Sequence, residues 1–491
     1  MFAPTRWGVD SVDLLVVGGG INGAGIARDA AGRGLSVLLV EQDDLAQHTS
    51  SASTKLIHGG LRYLEYGEIR LVREALIERE RLWRMAPHII WPLRFVLPQT
   101  HSPRPGWMVR AGLFLYDHLG GRKRLPATQT VRLDRSAWGA GLADRRGRGF
   151  VYSDCWVEDS RLVVLNAVDA AKRGAHVLTR TRLESARRED GHWRAALSNG
   201  AEVGARALVN AAGPWVSDVI ARTGANAHGR GVRLVKGSHI VVPRLYEGEH
   251  AYMLQNEDRR IVFAIPYEHR FTLVGTTDVP WEEAPAAVAI DADETRYLLD
   301  TANRYFTHQL SEADVAWSYA GIRPLFDDRA GSASAVTRDY VLDLDAPTDA
   351  APLLSVFGGK ITTYRRLAEH ALEQLARFFP SAGAAWTAGA TLPGGDFDDY
   401  GTLVGALAAE FPAIDAALLR RLARAYGTDA RSILSQGLGQ DLGGGLHAAE
   451  VDHLVAHEWA RTAEDVLWRR SKLGLHAPPD TAERLAAYLP G

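Results

Sequence analysis

A chain of 491 residues, 46% of them hydrophobic, is long enough for two or three separately packed cores and needs no covalent staples. Its 56 basic side chains are slightly outnumbered by 59 acidic ones, for a formal net charge of -3, so no global positive field draws it to nucleic acid. The single cysteine, Cys155, excludes an internal disulfide and any Cys/His zinc pattern, which fits a reducing, cytosolic setting.

The opening segment MFAPTRWGVDSVDLLVVGGG lacks the basic-then-apolar order and small-residue cleavage site of a signal peptide. No apolar run reaches the roughly 18 residues of a spanning helix, so any membrane contact is expected at the surface. Residues 13 to 41 then read as strand, tight turn, helix, strand: the runs Leu14 to Val17 and Val37 to Val40 are short, apolar and bounded by glycines, as buried parallel strands are. Trp107 to Arg124, WMVRAGLFLYDHLGGRKR, is either an interfacial helix ending in the basic cluster Arg122, Lys123 and Arg124, or a core helix with a solvated basic end.

Further strands are expected at Ala207 to Ala211, which runs into Ala212, Gly213 and Pro214, and at Leu353 to Phe357, which runs into Gly358 and Gly359. With the first strand these make three apolar runs converging on one sheet. Residues 231 to 280 alternate polar and apolar in short bursts (HIVVP, RIVFAIP, RFTLVGTT), the pattern of an antiparallel sheet packed on one face. After Leu392 the spacing of Leu418, Leu422 and Ala425, then of Val451, Leu454, Val455 and Trp459, is helical. The expected fold class is therefore α/β, a Rossmann-like domain with an antiparallel substrate domain and an all-helical C-terminal domain. Residues 10–80, with 150–225 and 335–385 returning to it, form the first; 81–149 and 226–334 form the second; 393–491 form the third.

Gly18, Gly20 and Gly23 make G-x-G-x-x-G directly after a strand and at the start of a helix, so the backbone can approach a pyrophosphate and present N-terminal amides to it. Glu41, at the end of the second strand, is placed to accept both hydroxyls of an adenosine ribose and to repel a 2'-phosphate. The ligand is FAD or NAD. FAD is favoured by VNAAGPW at 209 to 215 and FGGKITTYRRLAEHA at 357 to 371. There Gly358 and Gly359 permit close approach, Thr362 or Thr363 is expected to cap the next helix, and Lys360 adds positive charge where a reduced flavin carries its anion. His453, His457 and Glu458 fall one turn apart, but in the wrong order for H-E-x-x-H and with no further ligand, so no metal site is expected.

The stretch TSSASTKLIHGGLRYLEYGEIRLVREALIERE at 49 to 80, with GGGINGAGIARDAAGRGLSVLLVE, KGSHIVVP, GTTD, GIRPLFDD, TRDY and FGGKITTYR, resembles the FAD-dependent sn-glycerol-3-phosphate dehydrogenases of bacteria, the aerobic respiratory enzymes, over essentially the whole chain. The resemblance implies oxidation of sn-glycerol 3-phosphate to dihydroxyacetone phosphate, with electrons passed to a quinone. It also implies a monotopic protein on the cytoplasmic face of the cell membrane, and is compatible with a homodimer. It places His58, Arg62 and Tyr63 of IHGGLRY, His239 of KGSH, Arg323 of GIRPL, Arg338 of TRDY and Lys360 around the substrate. Ser50, Ser51 and Gly213 join the fingerprint residues at the cofactor.

A histidine suits removal of the hydroxyl proton near neutral pH, with His58 leading and His239 its rival. Arginines suit a phosphomonoester because the guanidinium fork donates two parallel hydrogen bonds, which makes Arg62, Arg323 and Arg338 the candidate ligands. Two alternatives share these features: a glycerol-3-phosphate oxidase that uses oxygen, and an amine-oxidising flavoprotein of the same fold.

Overall fold

Strand Ser11–Val17 is buried continuously from Leu14 onward, because it runs through the middle of a sheet covered on both faces. It pairs in parallel with Val37–Val40 on one side and with Glu202–Asn210 on the other, and Glu202–Asn210 pairs in parallel with Leu353–Phe357. The three apolar runs that end in glycine are thus neighbouring strands. His176–Leu178 extends the sheet beyond Val37–Val40, and Val341–Asp345 closes the opposite edge antiparallel. Helices Ile21–Gly32, Asp159–Lys172 and Tyr364–Leu375 pack on it through Ile26, Ala30, Val164, Ala167, Leu367 and Ala371. The computed structural model describes residues 10–122, 124–225, 230–285, 288–327 and 339–489.

A second, ten-stranded sheet faces the first and is antiparallel apart from one parallel pair, Ala251–Gln255 with Ile90–Pro98. Its long members are Val232–Pro243, which pairs with both Phe271–Gly275 and Trp317–Phe326, and Arg148–Val157. The last corrects the sequence reading, which grouped 150–225 with the dinucleotide domain. Arg148–Val157 pairs with Ile90–Pro98 from Val157 opposite Ile90 to Gly149 opposite Pro98, and the two-residue strand Leu56–Ile57 joins the same sheet. Buried along nearly its whole length, Arg148–Val157 has the look of a parallel-sheet strand, and a partner some fifty residues away leaves no local mark.

The C-terminal region is built from helices Tyr400–Glu410, Ala416–Tyr426, Ala448–His457 and Thr481–Tyr488 around Leu407, Leu422, Val451, Leu454 and Leu485. Among the described residues its one departure from the all-helical expectation is a small hairpin, Asp441–Gly443 with Leu446–His447. Arg470 clamps the fully buried Asp44 carboxylate at 2.7 and 2.8 Å, and Arg469 Nε adds a third bond at 2.7 Å, so this region grips the loop just after Glu41. Among the described residues no helix is long and apolar enough to cross a membrane.

His88 sits wholly inside, with neither ring nitrogen hydrogen-bonded among the described residues. Burial, then Arg161 and Arg424, push its pKa down to about 3. The unfolded chain therefore binds a proton between about pH 6.5 and 3 that the folded chain refuses, and stability falls as pH drops through that window. The loss is roughly 1.4 kcal/mol per pH unit. His88→Leu is expected to remove that share: its urea midpoint should fall less than the wild type's between pH 7.5 and 5, and parallel losses would clear His88 of the acid response.

Candidate active site

One cavity of about 400 Å³ runs from the glycine turn after the first strand to the face of the second sheet. At its first end Gly18 has φ +111°, and a Cβ there would stand 2.5 Å from the Ala211 carbonyl oxygen, so only glycine lets the two strand ends meet. Helix Ile21–Gly32 begins without a side-chain cap and without an acidic residue in its first turn. Its leading amides are therefore left for a ligand, apart from Ile21 N–H, which donates to Ser50 Oγ at 3.0 Å. Glu41 accepts from the amides of Gly19 at 2.6 Å and Asp43 at 2.8 Å, which fixes its carboxylate at the cavity wall. Asn22 donates to the Gly358 carbonyl at 3.1 Å while its Oδ1 is buried with no partner among the described residues. Uncapped amides, an aimed carboxylate and an orphaned amide oxygen are what a dinucleotide's diphosphate, ribose and linking chain would satisfy.

Gly20, Gly213, Gly358, Gly359 and Thr362 line the same cavity. Two predicted cofactor residues do not. Gly23 acts on packing: its missing Cβ would lie 1.9 Å from the Gly18 carbonyl oxygen, which seats the helix on the strand. Ser51 turns its hydroxyl to the His48 carbonyl at 3.2 Å and faces a neighbouring cavity lined by Trp317, Tyr319, Trp468 and Lys472. The expected helix cap is also corrected. Thr363 occupies the cap position of Tyr364–Leu375 without a side-chain bond, and Thr362 Oγ1 instead accepts from the His58 amide at 3.3 Å.

At the other end stand His58, Arg62, Tyr63, His239, Arg323 and Lys360, drawn from four distant segments. Burial first, then the charges of Lys360 and Arg79, lower the His58 pKa to about 4, so its ring is neutral at physiological pH. His239 stacks on Tyr319 with centroids 4.7 Å apart and shares a 3.0 Å hydrogen bond with Thr54 Oγ1. Its Nδ1 has no partner among the described residues, and burial, Arg323 and Lys55 hold the ring well below its ordinary pKa. Lys360 Nζ lies 3.9 Å over the Tyr63 ring.

The two described arginines differ. Arg323 is committed to the Asp278 carboxylate, to Thr276 Oγ1 at 3.0 Å and to the Thr277 carbonyl at 2.7 Å. Arg62 makes one side-chain hydrogen bond among the described residues, from a terminal nitrogen to Tyr66 Oη at 3.4 Å, and its Nε is buried without a partner. Arg338 lies outside the described residues. Thr54, Asn22, Asp154 and Asp278 also line the cavity and were not singled out from the sequence. Of these Asn22, Thr54 and Asp278 stand in quoted motifs, GGGINGAG, TSSASTK and GTTD, and only Asp154 lies outside them. Beyond Tyr63 the wall becomes apolar, with Phe95, Met253, Ile261 and Phe263. The His453, His457 and Glu458 cluster stands elsewhere, with the Glu458 carboxylate taken by Arg161 through both of its terminal nitrogens.

Residues 13–365 match the FAD dependent oxidoreductase family, and residues 385–488 match the C-terminal domain of alpha-glycerophosphate oxidase. A glycerol-3-phosphate dehydrogenase of Pseudomonas aeruginosa is 58% identical over 97% of this chain and 94% of its own length. A D-erythritol 1-phosphate dehydrogenase of Brucella abortus is 54% identical over 97% of each. The solved glycerol-3-phosphate dehydrogenase from Bacillus halodurans complexed with FAD aligns with a TM-score of 0.75 at 28% identity, over 94% of this chain and 86% of that one. The chain therefore belongs to the FAD-dependent oxidoreductases, within the group of the bacterial glycerol-3-phosphate dehydrogenases, and FAD is its cofactor.

Proposed function

We propose that the protein oxidises the secondary alcohol of sn-glycerol 3-phosphate to the ketone of dihydroxyacetone phosphate and passes the electrons to a membrane quinone. The observation that carries this reading is the meeting, in one cavity, of a dinucleotide cradle with two neutral histidines and three cationic side chains, Arg62, Arg323 and Lys360. FAD supplies a two-electron acceptor for the hydride leaving the alcohol carbon. The chain's own work is to take the hydroxyl proton and to hold the phosphate. His58 is the first choice for the proton and His239 its rival, since each is uncharged before the reaction and able to accept. Arg62 and Arg338, with Lys360, hold the phosphate, and Arg323, neutralised by Asp278, orients a substrate oxygen. A tetritol phosphate, the substrate class named for the Brucella relative, is the nearest competitor.

The membrane part of the proposal rests on helix Gly106–Leu119. Val109, Leu113 and Tyr116 are buried, while Trp107, Met108, Phe114 and Leu115 are exposed, with Tyr66 and Ile69 exposed in nearby segments. An apolar face on a helix too short to span suits a monotopic protein lying on the cytoplasmic leaflet.

Anaerobic titration of the yellow holoenzyme tests the reaction: sn-glycerol 3-phosphate should bleach the flavin, and sarcosine should not. Bleaching by erythritol 1-phosphate at higher kcat/KM would move the substrate assignment to the longer polyol. Rapid turnover with a soluble quinone and little peroxide in air is the expected acceptor behaviour, and the reverse would make the protein an oxidase. Arg62→Ala is expected to lower kcat/KM by roughly 10²- to 10³-fold, mostly through KM, because a buried charge-assisted pair with the phosphate is lost. Steady-state kinetics with unchanged kcat/KM would remove Arg62 from the phosphate site.

A further inference from the structure

Next to the His58–Gly59 peptide lie three buried polar side chains to which the reaction above gives no part, and of them only Asp154 lines the cavity. Tyr116, Asp154 and Arg79 are each 2% exposed. The Gly59 amide donates to Tyr116 Oη at 2.7 Å, and Tyr116 Oη donates in turn to Asp154, whose oxygens lie 2.8 and 2.9 Å away. Arg79 Nη1 donates to the same carboxylate at 2.6 Å and to the Ser153 carbonyl at 2.9 Å. Each group comes from a different element: Tyr116 from helix Gly106–Leu119, Asp154 from strand Arg148–Val157, Arg79 from helix Ile69–Met85. All three are tied to one backbone amide, that of the residue after His58.

We propose that Tyr116, Asp154 and Arg79 are positioning residues that anchor the Gly59 amide and so hold the His58 ring at the cavity wall. The proposal deepens the function given above and rests on it for the role of His58. The loop needs such an anchor. Gly59 and Gly60 follow His58 directly, and Gly60 has φ +73°, so this stretch has few side chains of its own to fix it. Gly59 has no room for one, since a Cβ would come within 2.5 Å of Leu76 Cδ2 and 2.8 Å of Tyr116 Cε2. Tyr116 is thus packed against the glycine it hydrogen-bonds. A buried ion pair adds little net stability over apolar side chains of the same size, so the contribution of this one lies in the geometry it fixes through Nη1, Arg79 Nε having no partner among the described residues. A proton acceptor displaced by about 1 Å loses on the order of 10²-fold in rate.

The test compares wild-type holoenzyme with Tyr116→Phe, which removes one oxygen and leaves the ring. Single-turnover stopped flow should show flavin reduction at saturating sn-glycerol 3-phosphate slowed roughly 10- to 100-fold. The substrate dissociation constant should stay within about twofold, because the cations are untouched. Hydrogen–deuterium exchange of the peptide spanning 56–63 should speed up in the variant, a readout independent of turnover. Asp154→Asn should shift both readouts the same way and serves if the first variant folds poorly. Wild-type reduction rates, or unchanged exchange of that peptide, or a loss confined to thermal stability, would overturn the anchoring role. A wild-type protein that sn-glycerol 3-phosphate leaves yellow would instead sink the functional reading, and the exchange measurement would still judge the anchor.

Discussion

His58→Ala is expected to slow flavin reduction by sn-glycerol 3-phosphate by roughly 10²- to 10⁴-fold in single-turnover stopped flow, the range for removing a general base. The phosphate cations are intact in this variant, so substrate should still bind, and the loss should appear in kcat rather than KM. The wild-type pH profile should carry the matching signature. Burial and the Lys360 and Arg79 charges hold His58 at about 4, below its ordinary 6.5. Its proton-accepting form is therefore dominant at pH 7, and the free enzyme's kcat/KM should fall only as the pH is lowered toward 4. The same sign governs stability: folded protein resists protonating this ring, so acid between about 6.5 and 4 disfavours the fold. A near-wild-type reduction rate in His58→Ala would transfer the proton to His239, which shares its hydrogen bond with Thr54 and is equally uncharged.

The parts of this site that could be read from sequence are those whose chemistry is local. Gly18, Gly20 and Glu41 declare themselves because a strand, a turn and a helix fall within thirty residues and leave no other use for that spacing. The meeting of His58 with His239, Arg323 and Lys360 is different: it depends on the register of the second sheet, where Arg323 stands opposite Val235 and His239 opposite Tyr319. Nothing short-range encodes that pairing, and only the family resemblance brought those residues together. Tyr116, Asp154 and Arg79 were invisible for the same reason, since a buried tyrosine on a helix and a buried aspartate on a strand look like core and turn residues until their partners are seen. Ser51 and the threonine cap failed on a finer point. Sequence places a hydroxyl beside a loop or a helix start, but the side-chain torsion decides whether it faces the ligand, its own backbone, or the His58 amide.

Gly23→Ala should leave the protein without its flavin. The added Cβ would stand 1.9 Å from the Gly18 carbonyl oxygen and 3.1 Å from its carbon, both backbone atoms with no rotamer to yield. Helix Ile21–Gly32 must then lift from strand Ser11–Val17, carrying its uncapped N-terminal amides away from the diphosphate position. The strand is fully buried there, with Leu14, Leu15 and Val16 at zero exposure, so the shift also opens the first core, and overpacking of this kind costs about 1 to 3 kcal/mol or more. Loss of the bound cofactor removes a second share of stability by mass action. Purified variant should show little 450 nm absorbance relative to protein even after incubation with FAD, together with a lowered thermal midpoint. Gly112→Ala is the matched control: it lies in helix Gly106–Leu119 with nothing within 4 Å of the new Cβ, and a helical alanine there should be neutral or stabilising by about 0.5 to 1 kcal/mol. A Gly23→Ala protein as yellow as the control would show that the helix can move without releasing the dinucleotide, and the grip would then have to lie with Glu41 and the Gly358 turn.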